Sequence, residues 1–207
     1  MRKTVLTTAI AAAALALSAC AGDGTGPGGG NGELTASEIS QLNQAILGVS
    51  AGVRGRAGAR FSTEPVTGQG SGSLTFDFDE TAPCQPRGDV GIAGTMALSW
   101  DDVAQTSGLS ADFAVAHDGC TVRLDNGQTV TLTGDPHIDV LMDAAAGPNG
   151  LTTFRVTETG AFTWTKGAGA SGRCTVAVVA DLNTETGAVT LAGEFCGVDV
   201  SGTYTDD

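Results

Sequence analysis

Apolar and polar side chains alternate along most of this chain, and this period of two constrains the fold more than any other feature. Leu74, Phe76 and Phe78 alternate with threonine and aspartate. The same pattern returns at residues 96–100, 113–115, 122–124, 130–132, 138–142, 154–156, 162–164, 176–178, 189–191 and 198–200. Successive side chains of a strand point to opposite faces, so this alternation is typical of antiparallel strands with one buried face. About ten such strands predict an all-β domain, mainly an antiparallel meander, folded as a sandwich or a closed barrel.

A different period precedes the strands. Residues Ile39, Leu42, Ile46 and Val49 are spaced by three, four and three, which predicts one apolar stripe on a helix of about 13 residues. Thr35 and Glu38 have the spacing of a capping box, and Leu34 with Ile39 has that of a hydrophobic staple. A helix this short is marginal alone in water, so we expect it to pack on the sheet of its own domain.

The N-terminus has the features of an export signal. Arg2 and Lys3 precede an uncharged apolar run, residues 5–17, which is shorter than the roughly 20 residues that span a membrane and fits a signal peptide. The following Leu17-Ser18-Ala19-Cys20 resembles the lipobox of bacterial lipoproteins. In that family the cysteine receives a diacylglyceryl group, and the signal peptide is cleaved just before it.

The resemblance implies an organisation for the whole chain. Residues 1–19 would be the signal peptide, residues 20–33 the lipidated Cys20 with a Gly-rich flexible tether, and residues 34–207 a single β-rich domain. Ala21 follows the cysteine, which by the same resemblance favours the outer membrane in a cell with two membranes. In a cell with one membrane, the anchor implies the outer face of that membrane.

Four further cysteines, Cys84, Cys120, Cys174 and Cys196, predict two disulfides, with three pairings open in principle. Strands near residues 175–180 and 188–194, joined by a turn at 183–187, would place Cys174 opposite Cys196. This hairpin favours the pairs Cys174–Cys196 and Cys84–Cys120. No Cys-x-x-Cys spacing occurs and the two histidines are not spaced as zinc ligands, so no metal site is predicted.

Charge excludes one class of partner. Cleavage before Cys20 would remove two of the ten basic residues and none of the 23 acidic ones, which takes the formal net charge from −13 to −15. Lys166 would then be the only lysine. Proteins that bind nucleic acids neutralise phosphates with cationic side chains, so we expect no nucleic-acid partner.

The residues that most resemble catalytic ones have the wrong context. Ser50 lies in a Gly-x-Ser-x-Gly pattern, but a predicted helix precedes it where the hydrolase motif requires a strand. His117 and His137 lie in turn-like segments, Ala-His-Asp-Gly and Asp-Pro-His-Ile. His137 with Asp139 on one strand face is neither a catalytic triad nor a metal site.

The clustered carboxylates do not match a calcium loop either. The segment 181–185 begins like such a loop but lacks its glycine and distal glutamate. We expect solvated turn residues here and at Asp77, Asp79, Glu80, Asp101 and Asp102. The sequence thus predicts no catalytic residue, no metal and no cofactor.

Two functions remain open. The first is a non-enzymatic, lipid-anchored envelope lipoprotein whose β-domain is a structural or protein-interaction module. The second is a carrier that encloses an apolar ligand in a lipocalin-like barrel. A filled inner face favours the module, and small side chains around an empty volume favour the carrier.

Overall fold

The computed structural model describes residues 34–42, 46, 70–134, 137–167 and 169–204. Within these ranges one short helix, α1, covers residues 36–42, and residue 46 is again helical. Ten strands follow: β1 Ser71–Pro83, β2 Arg87–Asp101, β3 Thr106–Arg123, β4 Thr129–Thr133, β5 Ile138–Gly147, β6 Gly150–Lys166, β7 Ala170–Leu182, β8 Val189–Phe195, β9 Val198–Asp199 and β10 Gly202–Tyr204. None of the described helical residues belongs to a helix long and apolar enough to cross a membrane.

The strands form one antiparallel sheet in which neighbours along the chain are mostly neighbours in the sheet. Its path is β1-β2-β3-β4-β6-β7-β8-β10, with β9 beside β8. Strands β4 and β5 both pair with β3 and with β6, so they are two parts of one interrupted strand. The predicted meander is confirmed. The sheet is not a regular barrel, since β1 and β10 at the ends of the path do not pair with each other, and the closed-barrel alternative therefore fails.

Strand β3 is longer than the alternation predicts. The segments 113–115 and 122–124, which the pattern treats as separate strands, are joined by a bulge and not by a turn. The ladder to β2 shifts register between Arg87 and Asp89. At this point Gly88 and Gly119 have positive φ angles of 86° and 60°, and a Cβ on Gly88 would overlap the Gly119 backbone. Only glycine adopts both the close approach and the left-handed backbone readily. His117 consequently lies inside a strand and is buried, which corrects its expected turn-like context.

One face of the sheet, here called the inner face, carries the core. A row in register across five strands illustrates it: Val115, Ile138, Gly160, Val176 and Phe195. Every residue of that row except the glycine is a buried apolar side chain. The largest completely buried side chains in the described residues include Phe162, Phe195, Leu42 and Leu132. The alternation of the sequence is therefore the alternation between this face and solvent.

Helix α1 covers the inner face as expected. Leu42 is completely buried, Ile39 and Ile46 are nearly so, and Leu34 packs against the same cluster. Val49, the last residue of the predicted stripe, lies outside the described residues, as does the predicted C-terminal end of the helix. Burial of three apolar side chains supplies the tertiary contact that a helix of this length requires.

Both disulfides are present, with Cys84 bonded to Cys120 and Cys174 bonded to Cys196. Their Cα atoms are 5.4 Å and 4.4 Å apart, and the second bond closes the β7–β8 hairpin that the sequence predicts.

Both disulfides lie toward the end of the sheet on which α1 docks, which we call the helix end. The opposite end, where β1, β2, β3, β5 and β6 meet at their other termini, is called the rim.

Candidate functional site

At the helix end, a cluster of polar side chains joins α1 to the sheet. One carboxylate oxygen of Glu38 accepts hydrogen bonds from Lys166 Nζ at 2.5 Å and from Asn126 Nδ2 at 3.3 Å. The Gln41 side-chain oxygen accepts the backbone N–H of Asp125 at 2.8 Å. Because Asn126 lies in the β3–β4 turn and Lys166 ends β6, one turn of helix contacts two separate parts of the sheet. We call Glu38, Gln41, Asn126 and Lys166 the docking cluster.

Glu38 has a second role in the same helix. Its other carboxylate oxygen accepts the backbone N–H of Thr35 at 2.9 Å, while Thr35 Oγ1 accepts the backbone N–H of Glu38 at 3.3 Å. This is the capping box that the sequence predicts. Burial alone would raise the pKa of Glu38, but the hydrogen bonds from Lys166 and Thr35, together with the charge of Lys166, hold this pKa below its ordinary value. The carboxylate is therefore charged, paired and almost fully buried.

His117 is the other buried ionisable group in the described core. Its side chain is 4% exposed, its Nδ1 atom has no hydrogen-bond partner, and its ring centre lies 6.1 Å from that of Phe162. Phe162 in turn lies 6.1 Å from Phe195, so the imidazole belongs to a row of packed rings. Burial lowers the pKa of His117 to about 4. The group is neutral near neutral pH and inaccessible to a substrate, as a core residue would be.

Asp139 lies in β5 and His137 immediately precedes that strand, and their side chains do meet, as the sequence suggests. Their Nε2 and Oδ1 atoms are 3.0 Å apart, and about half of each side chain is exposed. Among the described residues, no group of three or more His, Cys, Asp or Glu side chains could hold a metal ion. A contact between two such exposed side chains contributes little to stability.

Some of the residues considered above as calcium ligands lie in turns. Asp101 Oδ1 accepts the backbone N–H groups of Val103 and Ala104, each at 2.9 Å. Asn183, within the segment that begins like a calcium loop, accepts those of Glu185 and Thr186 in the same way. Such bonds fix the β2–β3 and β7–β8 turns. Asp77, Asp79 and Glu80 lie within strand β1 rather than in a turn, which corrects the expectation of turn residues there; Asp77 and Asp79 are exposed, and Glu80 is partly buried.

The rim contains a shallow depression that the sequence does not reveal. It has a volume of about 420 Å³ and lies where β2, β3, β5 and β6 end. Trp100, several hydroxyl side chains and the small residues of segment 145–147 line it. These residues come from strands that are distant in the sequence, so only the register of the sheet brings them together.

Other residues that the sequence singles out lie outside the described part of the chain. They are Cys20, the predicted lipidation site, and Ser50 of the Gly-x-Ser-x-Gly pattern. Lipidation of Cys20 and the exclusion of Ser50 as a nucleophile both stay predictions from the sequence. Sequence reasoning missed the docking cluster, although it had two of its signals: Glu38 is the capping-box glutamate, and Lys166 is the only lysine after Lys3.

We found no protein family, curated protein or solved structure that matches this chain.

Proposed function

We propose that this chain is a lipid-anchored lipoprotein of the cell envelope whose β-domain acts without catalysis, as a structural or protein-interaction module. The filled inner face is the observation that favours the module over the carrier. Phe162, Phe195 and Leu132 are completely buried there, and Leu42 of the helix closes over them. A carrier needs this volume for its ligand.

Two further observations support an envelope location. Two disulfides stabilise proteins in oxidising compartments and are rare in the reducing cytosol. Exposed aspartates such as Asp77, Asp79, Asp112 and Asp143 lie on the outer face of the sheet, and their charge favours the solubility of a tethered domain. The lipid on Cys20 and the outer-membrane preference of Ala21 complete the proposal, and the expected partners are the membrane, through the lipid, and an envelope protein.

The anchor is tested with the full-length chain expressed in a bacterium that processes lipoproteins. The wild type should sediment with membranes and carry the mass of an acylated Cys20 at a new N-terminus. The Cys20→Ala variant should lose the acyl mass and leave the membrane fraction. A matched control is Cys84→Ala/Cys120→Ala, which removes two other cysteines and should stay anchored. Membrane retention of Cys20→Ala without an acyl group would refute the anchor.

The second candidate, a carrier of an apolar ligand, has one observation in its favour. Toward the rim the inner face is only partly covered: Leu74 is 51% exposed, while its ladder partner Leu98 and the partner of Leu98 on β3, Leu109, are half-buried. A carrier would have to use this open part of the face, since the sheet is not a regular barrel.

Native mass spectrometry of the protein purified from its own envelope decides between the two. A polypeptide whose only extra mass is the anchor favours the module. A retained apolar molecule that is lost from a Leu98→Arg variant favours the carrier.

A further inference from the structure

Three reactive side chains of the docking cluster meet at one atom. Lys166 Nζ and Asn126 Nδ2 both donate hydrogen bonds to the same oxygen of Glu38, Oε1, at 2.5 Å and 3.3 Å. An amine is a nucleophile once it has lost a proton, and the carbon of a carboxamide is an electrophile. A carboxylate in contact with both nitrogen atoms can carry a proton from one to the other.

The carbonyl side of the Asn126 amide is held as well. Its Oδ1 atom accepts the backbone N–H of Gln128 at 2.9 Å. Negative charge develops on this oxygen when a nucleophile attacks a carboxamide, and a fixed N–H donor stabilises that charge. The turn itself is closed by hydrogen bonds from the Gly127 N–H to the Leu124 carbonyl and from the Leu124 N–H to the Gln128 carbonyl. The amide is therefore held with its nitrogen toward Glu38 and its oxygen toward a donor.

Water is excluded from the amine and the carboxylate but not from the amide. The Glu38 side chain is 6% exposed and that of Lys166 is 18% exposed, and Val130, the ladder partner of Lys166, is completely buried. Transfer of a proton from Lys166 to Glu38 turns a largely buried ion pair into two neutral groups, which burial penalises less. The lowered pKa of Glu38 still makes this transfer uphill, so a reaction through it is slow. Asn126 is exposed, so released ammonia can reach solvent.

We propose that Lys166 and Asn126 join in an intramolecular isopeptide bond, with Glu38 as the proton carrier. One proton passes from Nζ to Glu38, and the lone pair that it leaves forms the bond between Nζ and Cγ of Asn126. Glu38 then gives this proton to Nδ2 and takes a second from Nζ. The Cγ–Nδ2 bond breaks, and its electron pair leaves with ammonia. The ammonia carries the second proton away as ammonium, and the third stays on the new amide.

The bond is a third cross-link at the helix end, beside the two disulfides. It joins the β3–β4 turn to the end of β6, across β4, which lies between them in the sheet. Until it forms, Glu38 and Lys166 remain the ion pair that the structure shows. The inference goes beyond the proposed function and does not depend on the lipid anchor, because each chain modifies itself once and turns over no separate substrate.

Peptide mapping tests the bond directly. The full-length wild type is kept folded for several days, reduced, alkylated and digested with trypsin, which cleaves after lysine and arginine. An unreacted chain yields the linear peptides 124–155, 156–166 and 167–173. The bond protects Lys166 from cleavage, so we expect peptide 124–155 joined to peptide 156–173, with the loss of one ammonia molecule. Recovery of only the linear peptides would overturn the proposal.

The branched peptide also excludes a simpler reaction of the same turn. Attack of the Gly127 nitrogen on the Asn126 side chain would give a succinimide, which likewise loses one ammonia molecule. The Gly127 N–H is engaged with the Leu124 carbonyl at 2.9 Å, and a succinimide would leave Lys166 open to trypsin. Loss of ammonia with normal cleavage after Lys166 would therefore overturn the proposal.

Variants assign the roles. Lys166→Arg keeps a cation beside Glu38 but supplies no amine, and it should give no branched peptide. Glu38→Gln cannot carry protons, so bond formation should slow at least about a hundredfold. Gln41→Ala removes a member of the docking cluster that has hydrogen bonds to Ser37 and to the Asp125 backbone, and it should form the bond at the wild-type rate.

This matched pair separates proton transfer from helix docking. If Glu38→Gln does not fold, Glu38→Asp, whose shorter side chain does not reach both nitrogen atoms, replaces it with the same expectation. Equal rates of bond formation in the Glu38 variant and in Gln41→Ala would overturn the role of Glu38. A branched peptide from Lys166→Arg would overturn the assignment of the nucleophile.

Discussion

His117 shows what a single buried residue does to the dependence of stability on pH. Burial lowers its pKa from 6.5 to about 4, so in acid the unfolded chain binds a proton that the folded chain does not. Stability therefore rises with pH between these values and falls as the pH is lowered through them. The shift corresponds to about 3 kcal/mol, since one pKa unit is about 1.4 kcal/mol.

We predict that His117→Phe removes this loss. Between neutral pH and a pH near 4, the free energy of unfolding should fall in both proteins. In the wild type it should fall by up to about 3 kcal/mol more than in the variant, as measured by denaturant unfolding. Thr121→Val, at another buried polar residue that does not titrate, serves as the control and should keep the wild-type slope. Parallel pH profiles for the wild type and His117→Phe would contradict the assignment.

The ion pair of Glu38 and Lys166 is the second effect at this scale. The Glu38 side chain is 6% exposed and that of Lys166 is 18% exposed, so removing one partner leaves a largely buried charge. We predict that Lys166→Met lowers the free energy of unfolding by about 3–5 kcal/mol. The double variant Glu38→Gln/Lys166→Met should regain part of the loss, because no charge is then stranded.

A second ion pair of the sheet provides the comparison. Arg155 and Asp181 lie 3.3 Å apart, and each side chain is half exposed. Arg155→Met should therefore cost less than about 1 kcal/mol. Denaturant unfolding at one pH measures all four proteins. Equal losses for Lys166→Met and Arg155→Met would mean that the burial of the first pair has no energetic consequence.

At the scale of elements, helix α1 belongs to the core rather than to a partner. Leu42 is completely buried against the sheet. We predict that Leu42→Ala lowers the free energy of unfolding by about 2–5 kcal/mol through the cavity it leaves, and that Leu42→Asp is worse because it buries a charge. Ser37→Ala, on the exposed face of the helix, should stay within about 0.5 kcal/mol of the wild type. Unchanged unfolding midpoints for both Leu42 variants would instead make the helix a protein-binding element.

The elements also show which signals in the sequence are sufficient. The capping box at Thr35, the alternation of the strands and the Cys174–Cys196 hairpin are local, and each could be predicted because residues close in sequence decide it. The continuation of β3 through Gly119 could not, because an Asp-Gly step permits either a turn or a bulge. Gly88, which allows the backbone at Gly119 to come close, lies on another strand.

The whole molecule depends on contacts that local patterns do not encode. Glu38 and Lys166 are 128 residues apart, and the rim depression joins β2, β3, β5 and β6. Whether the sheet closes is likewise decided by its overall twist and curvature, which hydrophobic periodicity does not specify. The sequence alone therefore predicts the strands, whereas the docking cluster and the rim depression are found only in the structure.

The two ends of the molecule are stabilised unequally. The helix end has both disulfides, the docking cluster and the completely buried side chains of Leu42 and Leu132, whereas the rim has half-buried apolar residues and tight turns. Local opening is easiest where few buried contacts must break. We therefore expect opening free energies to increase along β2 and β3 from the rim toward the helix end.

Native-state hydrogen exchange tests this gradient. Amides of residues 98–101 and 106–109 should exchange through openings of lower free energy than those of residues 115–122. The Cys84→Ala/Cys120→Ala variant loses a cross-link over 36 residues and, by loop entropy, about 4 kcal/mol of global stability. Protection at the helix end should fall by that amount, because those amides exchange by global unfolding, while the rim amides change little, because they already open locally. A uniform fall in protection over both ends would show that the sheet opens only as one unit.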